Sequence, residues 1–261
     1  MGGRTENRVR MKTPQPVWVA TTRDGGGRVL RTRESPLAEA LDRHTTVGRL
    51  WRAEGDKVRC VACGHRCLIA PGRRGVCKVR YNEAGQLRVP FGYVSSAACD
   101  PIEKKPFYHV LPGSGALTFG MLGCDFHCSY CQNWITSQAL RDDSAGARIQ
   151  LTTPERLVGA AQREGARLMV SSYNEPLITA EWAAEIFARA KPAGLVCAFV
   201  SNGNATPEAL EFLRPWLGAL KIDLKTFDDR RYRSLGGTLA RVTETIREAH
   251  ACGIWVEVVT L

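Results

Sequence analysis

Three cysteines fall within eight residues, in Cys124-Asp125-Phe126-His127-Cys128-Ser129-Tyr130-Cys131. Thiolates are soft ligands that select zinc or iron–sulfur clusters. A structural zinc site wants four ligands, and this loop offers three thiolates with His127 as a candidate fourth. A cubane cluster held by three cysteines instead keeps one iron open to a small molecule. A second set, Cys60, Cys63, Cys67 and Cys77 with His65 among them, places four sulfurs in a glycine-containing stretch whose short β-like pieces promise only a thin core. Bound metal is the expected staple there, as structural zinc or a second iron–sulfur cluster. The chain has ten cysteines but no secretory signal, so metal or redox chemistry is favoured over disulfides. Cys99, Cys197 and Cys252 stand apart from both sets and read as buried spectators.

These residues need elements to position them. From residue 115 onward, β-like runs at 116–122, 168–172, 195–201, 219–224 and 254–261 alternate with helical stretches at 154–164, 179–190, 207–213 and 239–251. Thr152 or Thr153 caps the first of these helices and Pro154 opens it. Such alternation implies parallel strands joined by right-handed crossovers, whose chemistry gathers at the carboxyl ends of the strands. Every unusual polar motif falls there: the cysteine loop, Tyr173-Asn174-Glu175-Pro176, Ser201-Asn202-Gly203 and Asp223-Leu224-Lys225. Residues 36–51 suggest a short helix, and 100–109 either a substrate-facing segment or a solvated charge run. The last run is an apolar strand with nothing after it, which reads as a truncation after the fifth strand.

The formal charge of +10 is uneven. Residues 1–80 carry 18 Lys/Arg against 7 Asp/Glu, whereas 81–261 carry 18 against 19. The basicity belongs to the front, where residues 1–35 read as a disordered leader, and a solvated basic tail is favoured over a nucleic-acid surface. No apolar run is long enough to span a bilayer, so a cytoplasmic protein without membrane contact is expected.

The Cys-x-x-x-Cys-x-x-Cys spacing, with Tyr130 before the last cysteine, resembles the radical S-adenosylmethionine (radical SAM) signature. The resemblance implies a 4Fe-4S cluster on Cys124, Cys128 and Cys131. It implies SAM chelated to the open iron, then reductive cleavage that releases a 5′-deoxyadenosyl radical for hydrogen abstraction. By the same resemblance Tyr130 lies against adenine, and Asn174 and Glu175 fall in the turn that receives the SAM amino group. Tyr173-Asn174 replaces that turn's two glycines. Ser201 and Asn202 face the ribose or methionine, and Asp223 and Lys225 match the Asp-x-Lys of glycyl-radical-enzyme activases, with lysine on the SAM carboxylate. Asp100-Pro101-Ile102-Glu103-Lys104-Lys105-Pro106, Leu111-Pro112-Gly113-Ser114 and Cys131-Gln132-Asn133-Trp134 resemble more narrowly the radical SAM enzyme of the AmmeMemoRadiSam system, a relative of pyruvate formate-lyase activating enzymes.

The fold class that follows is α/β: a partial TIM-like barrel over 111–261, behind an N-terminal segment over 36–110 that holds the cysteine-rich module at about 56–95. The resemblance implies an electron donor such as flavodoxin or ferredoxin, and a protein substrate if the activase likeness extends to glycyl-radical formation. The alternatives are an inactive or truncated metal-binding scaffold, or radical SAM chemistry on RNA or a small molecule.

Overall fold

The computed structural model describes residues 36–142 and 147–260, so the basic leader over 1–35 lies outside the described residues. The chain opens with helix α1 (Pro36–Asp42), then β1 (Thr45–Val47), β2 (Trp51–Glu54), β3 (Lys57–Cys60), β4 (Leu68–Ile69), β5 (Tyr81–Glu83), β6 (Gln86–Pro90) and β7 (Tyr93–Val94). β8 (Ser96–Pro101) and β9 (Gly115–Gly120) begin the main sheet, and α2 (Trp134–Ser137) and β10 (Gln150–Leu151) follow. Alternation then runs through α3 (Pro154–Arg163), β11 (Leu168–Ser171), α4 (Ala180–Ala190), β12 (Val196–Ser201), α5 (Pro207–Leu213), β13 (Ala219–Leu224), α6 (Asp229–Leu235), α7 (Leu239–Ala251) and β14 (Trp255–Thr260).

The main sheet has the order β14-β13-β12-β11-β9-β8, parallel from β14 to β9. Its order never reverses across the parallel strands, so successive right-handed crossovers lay their helices on one face. That face is packed by Leu117, Phe119, Met169, Phe199 and Ile222 from the strands against Leu157, Ile186, Phe187 and Leu210 from the helices. Threonines start the helices: Thr153 accepts from Arg156 N, Thr206 from Ala209 N and Thr238 from Arg241 N. Each such cap stabilises by about 1 kcal/mol.

Three local features depart from the sequence reading. The helix expected over 36–51 stops at Asp42, because the β-branched run Thr45-Thr46-Val47 pairs with β6 instead. A helix appears at 229–235, fixed by the Asp228 side chain accepting from the Arg230 and Arg231 amides and by Gly236 in the left-handed region at φ +98°. A sixth strand, β8, pairs antiparallel with β9, so Asp100 is a strand residue.

Beyond β8 the chain forms a strap across the other face of the sheet. Ile102 and Phe107 are fully buried there against Ala116, Leu168, Val170, Ala198 and Ala219. Ile102 N to Ser114 O (2.9 Å) closes the strap's base. Its tip is tied to the far edge by Tyr108 N and His109 N donating to the Glu257 carboxylate at 2.8 and 3.1 Å. The segment is therefore neither wholly solvated nor wholly buried: Lys104 is exposed while Lys105 is buried.

The cysteine-rich segment does not rely on a thin core of its own. Val58, Cys60, Val61, Ala62, Ile69, Leu87 and Val89 join the core that also holds the sheet and its helices. A buried Arg80–Glu181 ion pair and Gly64 N to Asn204 O (2.8 Å) add polar ties.

Close approach at the top of β9 demands a glycine. A Cβ on Gly120 would strike the Ser172 carbonyl oxygen and lie 2.9 Å from the Tyr173 Cβ. Gly120→Ala is therefore expected to cost roughly 1–3 kcal/mol in urea unfolding. An unchanged midpoint would show that the turn gives way freely.

Candidate active site at the carboxyl ends of the strands

The cysteine loop leaves β9 through Met121 and Leu122, and Phe126 anchors it edge-on against Tyr232 with ring centroids 6.4 Å apart. Met121, Leu122 and Phe126 are buried, while all three cysteines stay partly exposed. The loop thus roots its apolar residues and presents its thiols. Phe126 N donates to Cys124 Sγ at 3.3 Å, and Cys131 Sγ lies 3.2 Å from Ser137 Oγ. Burial first, then the carboxylates of Asp125 and Glu175, push the Cys124 thiol well above its ordinary range. Burial also raises Cys128, and Lys225 pulls the other way.

Two buried carboxylates stand beside this loop. Asp125 is fully buried, and its oxygens accept from Asn202 Nδ2 (2.7 Å) and Asn204 Nδ2 (2.8 Å). Glu175 accepts from Ser201 Oγ (2.7 Å), Asn202 N (2.8 Å) and Leu177 N (3.1 Å). All these donors are neutral. Burial, and then Asp125, push the Glu175 carboxyl up to about 8 despite them.

Across the sheet, β13 carries the opposite sign. Lys221 and Lys225 both pair with Asp223, Lys225 Nζ at 3.1 Å, so two cations share one anion. Both lysine side chains are about nine-tenths buried or more, at 5% and 11% exposure. Burial works against the Lys225 charge, but Asp223 foremost, with Cys128 once ionised, more than offsets it and holds its pKa above the usual value.

The sequence-expected residues converge at this end, with some changes of role. Asn174 joins the turn to β9, accepting from Met121 N (2.9 Å) and donating to Glu175 O (3.1 Å). Ser201 and Asn202, expected at a ligand, hold the two carboxylates. Tyr130 is half-exposed on the cysteine loop, and His127 is exposed. Asp125, Asn204 and Lys221 were not foreseen, although a lysine inside the apolar run 219–224 was a visible signal. Tyr173 was seen only as a missing glycine. It adopts φ +70°, and its hydroxyl takes a 3.0 Å bond from Lys105 Nζ, which also pairs with Asp100.

Cys60, Cys63, Cys67 and Cys77 lie one layer away, three of them buried. Among the described residues, no three Cys, His, Asp or Glu side chains close on one point as the ligands of a single metal ion do. The zinc alternative has no geometric support at either set. His65 is also engaged, its Nε2 lying 3.1 Å from the Asp125 carbonyl. The loop at 124–131 does fit a cluster by its donor set: three unbridged soft thiols, partly exposed, with Asp125 and Glu175 acting on Cys124 and Lys225 on Cys128.

The Radical SAM superfamily profile matches residues 119–261, and the chain belongs to that superfamily, whose members use a 4Fe-4S cluster and SAM. An uncharacterized protein of Methanocaldococcus jannaschii is 36% identical over 211 residues, covering 80% of this chain. The chain spans 62% of that relative's length. The solved structure of QueE from Escherichia coli aligns over 65% of this chain and 94% of its own, at 13% identity and a TM-score of 0.37, too slight a likeness to inform function.

A raised carboxyl binds its proton more tightly in the folded state than in the unfolded one. Between about pH 4.5 and 8 the native protein thus holds more protons at Glu175, and stability falls as pH rises through that window. Urea unfolding of the ligand-free protein at pH 5 and 8.5 is expected to show a steeper loss in the parent than in Glu175→Gln. Equal losses would mean that Glu175 ionises as an ordinary carboxylate.

Proposed function

We propose that this protein reductively cleaves SAM at a 4Fe-4S cluster held by Cys124, Cys128 and Cys131. The observation that carries the reading is the charge layout around the thiols. A pair of buried carboxylates with only neutral donors stands on one side, and a buried Lys–Asp–Lys group with surplus positive charge on the other. Glu175 meets the cost of burial by holding a proton up to about pH 8, and a bound cation would take that proton's place. A ligand that carries an ammonium and a carboxylate on one carbon, with a sulfonium two methylenes away, offers a cation to the carboxylates and an anion to the lysines.

In this reading Glu175 and Asp125 provide the negative wall for the amino group and sulfonium, and Lys225 clamps the carboxylate as a point charge. Lys221 keeps Asp223 neutralised, so that Lys225 remains free to act outward. Tyr130 offers its ring to the adenine. Cys124, Cys128 and Cys131 would hold the cluster, which would supply the electron for reductive cleavage of the sulfonium. The strap, with Phe107 beneath and Lys105–Tyr173 at the side, closes the face of the sheet where a substrate hydrogen would be presented, and it keeps water from below. A low-potential donor of the flavodoxin or ferredoxin kind is the partner this chemistry requires. The Asp223–Lys225 pair is the feature on which the proposal extends to a pyruvate formate-lyase activating enzyme-like subtype acting on a protein glycine. Among the described residues no helix is long and apolar enough to cross a membrane.

Anaerobically reconstituted, dithionite-reduced protein is expected to convert SAM to 5′-deoxyadenosine and methionine, read by chromatography. Cys128→Ala is expected to bring 5′-deoxyadenosine to background and to lower the iron bound per chain. Full turnover in that variant would remove the loop from the chemistry.

A further inference from the structure

The hydrogen-bond polarity at the second cysteine set separates these thiols from ordinary core cysteines. Cys197, a buried spectator, points its Sγ at two carbonyl oxygens, those of Phe187 (3.9 Å) and Leu195 (3.8 Å). That is how a neutral thiol behaves, as a weak donor. At the second set the sulfurs are met by N–H groups instead. Val76 N donates to Cys67 Sγ at 3.5 Å, and Arg80 Nη1 to Cys60 Sγ at 3.8 Å. The backbone N–H groups of Val79 and Arg80 face Cys77, and that of His65 faces Cys63. Phe126 N makes the same kind of contact to Cys124 in the loop assigned above to the cluster. Burial raises the Cys63, Cys67 and Cys77 thiols, and these N–H groups pull the other way, towards the anionic thiolate in which cysteine ligates metal.

The backbone gathers these four sulfurs around Cys60. Cys60 N donates to Cys67 O (2.9 Å) across the β3–β4 hairpin, setting the two residues opposite each other. A turn closed by Gly75 N to Arg80 O (2.8 Å) and Lys78 N to Gly75 O (3.0 Å) brings Cys77 back beside them. Gly75 has to be small there, since a Cβ would lie 3.3 Å from Ile69 Cδ1 and 3.5 Å from Cys67 Sγ. Cys60 is within electrostatic reach of Cys63, Cys67 and Cys77. Arg80 adds a fixed positive charge, with its guanidinium buried, ion-paired to Glu181 and bonded to Ile178 O at 2.8 Å. Burial works against that charge, and Glu181 first, then Cys60 and Cys77, favour it.

We propose that Cys60, Cys63, Cys67 and Cys77 bind a second iron–sulfur cluster. A cubane spreads its thiolates further apart than one ion does, for zinc thiolates at 2.3 Å stand only about 3.8 Å from each other. Among the described residues no three such side chains close on one point as the ligands of a single ion do, so a cluster is the better match to these thiols than zinc. The two sets are structurally joined: His65 Nε2 lies 3.1 Å from the Asp125 carbonyl, and Gly64 N donates to Asn204 O, whose side chain holds the Asp125 carboxylate. The site stands on its own thiols and does not rest on the SAM-cleaving reading.

The test is anaerobic reconstitution of the full-length chain with ferrous iron and sulfide, followed by iron and acid-labile sulfide counts. The variant with Cys124→Ala, Cys128→Ala and Cys131→Ala together is expected to keep about four irons and about four sulfides, and the parent about twice that. A triple variant that is folded by circular dichroism yet holds no iron overturns the proposal, as does one zinc per chain with no sulfide. If the triple variant does not fold, the Cys60→Ser/Cys67→Ser variant decides. Loss of about half the parent's iron with 5′-deoxyadenosine formation retained supports the second cluster, and unchanged iron overturns it. Failure of SAM cleavage in the parent, with two clusters present, would instead strike the functional reading alone.

Discussion

The structure turns on the Asp125 carboxylate. It is fully buried, and an ionised carboxylate taken out of water costs several kcal/mol unless donors replace its hydration. Asn202 and Asn204 supply those donors from the end of β12, at 2.7 and 2.8 Å. Charge-assisted hydrogen bonds of this kind contribute about 1.5–3 kcal/mol each. Asn204 is held in turn by Gly64, and the Asp125 carbonyl by His65. One anion thereby fixes the cysteine loop, the β12 turn and the N-terminal cysteine turn relative to one another. Glu175 extends the arrangement to the turn after β11 through Ser201 and the Asn202 amide.

The remaining architecture divides labour between the two faces of the sheet. Because the parallel order never reverses, the helices bury one face and leave the other to the strap. Ile102 and Phe107 fill the lower part of that face, so its polar groups are confined to the strand ends. There the sign of charge changes from β11 and β12 to β13. Low local dielectric makes such a separation effective, since neither wall is screened as it would be in water.

Much of this was legible in the sequence because it is local. Apolar runs of strand length, Thr-Pro helix starts and polar motifs at run ends give the alternating α/β order and the end of the sheet where chemistry gathers. Helix α5 and strand β13 occur at the positions read. What was not legible depends on partners far along the chain. Asp125 and Asn204 are 79 residues apart, so their bond is invisible to spacing rules. Strand β8 has no periodicity of its own and exists because it pairs with β9. The N-terminal segment looked too thin to fold because its core was counted alone, whereas Val58, Leu87 and Val89 are buried in a core shared with the sheet. Lys221 could have been found by asking why a charged residue interrupts an apolar strand.

The central claim is that the strand ends recognise the ammonium and the carboxylate of one methionyl group with side chains of opposite charge. Calorimetric titration of reconstituted protein with SAM and with its decarboxylated analogue tests it, on the parent and on Lys225→Met. The account predicts that the parent prefers SAM by about tenfold or more, as loss of a charged hydrogen bond implies, and that this preference narrows by about tenfold in the variant. A preference of the same size in both proteins would contradict it.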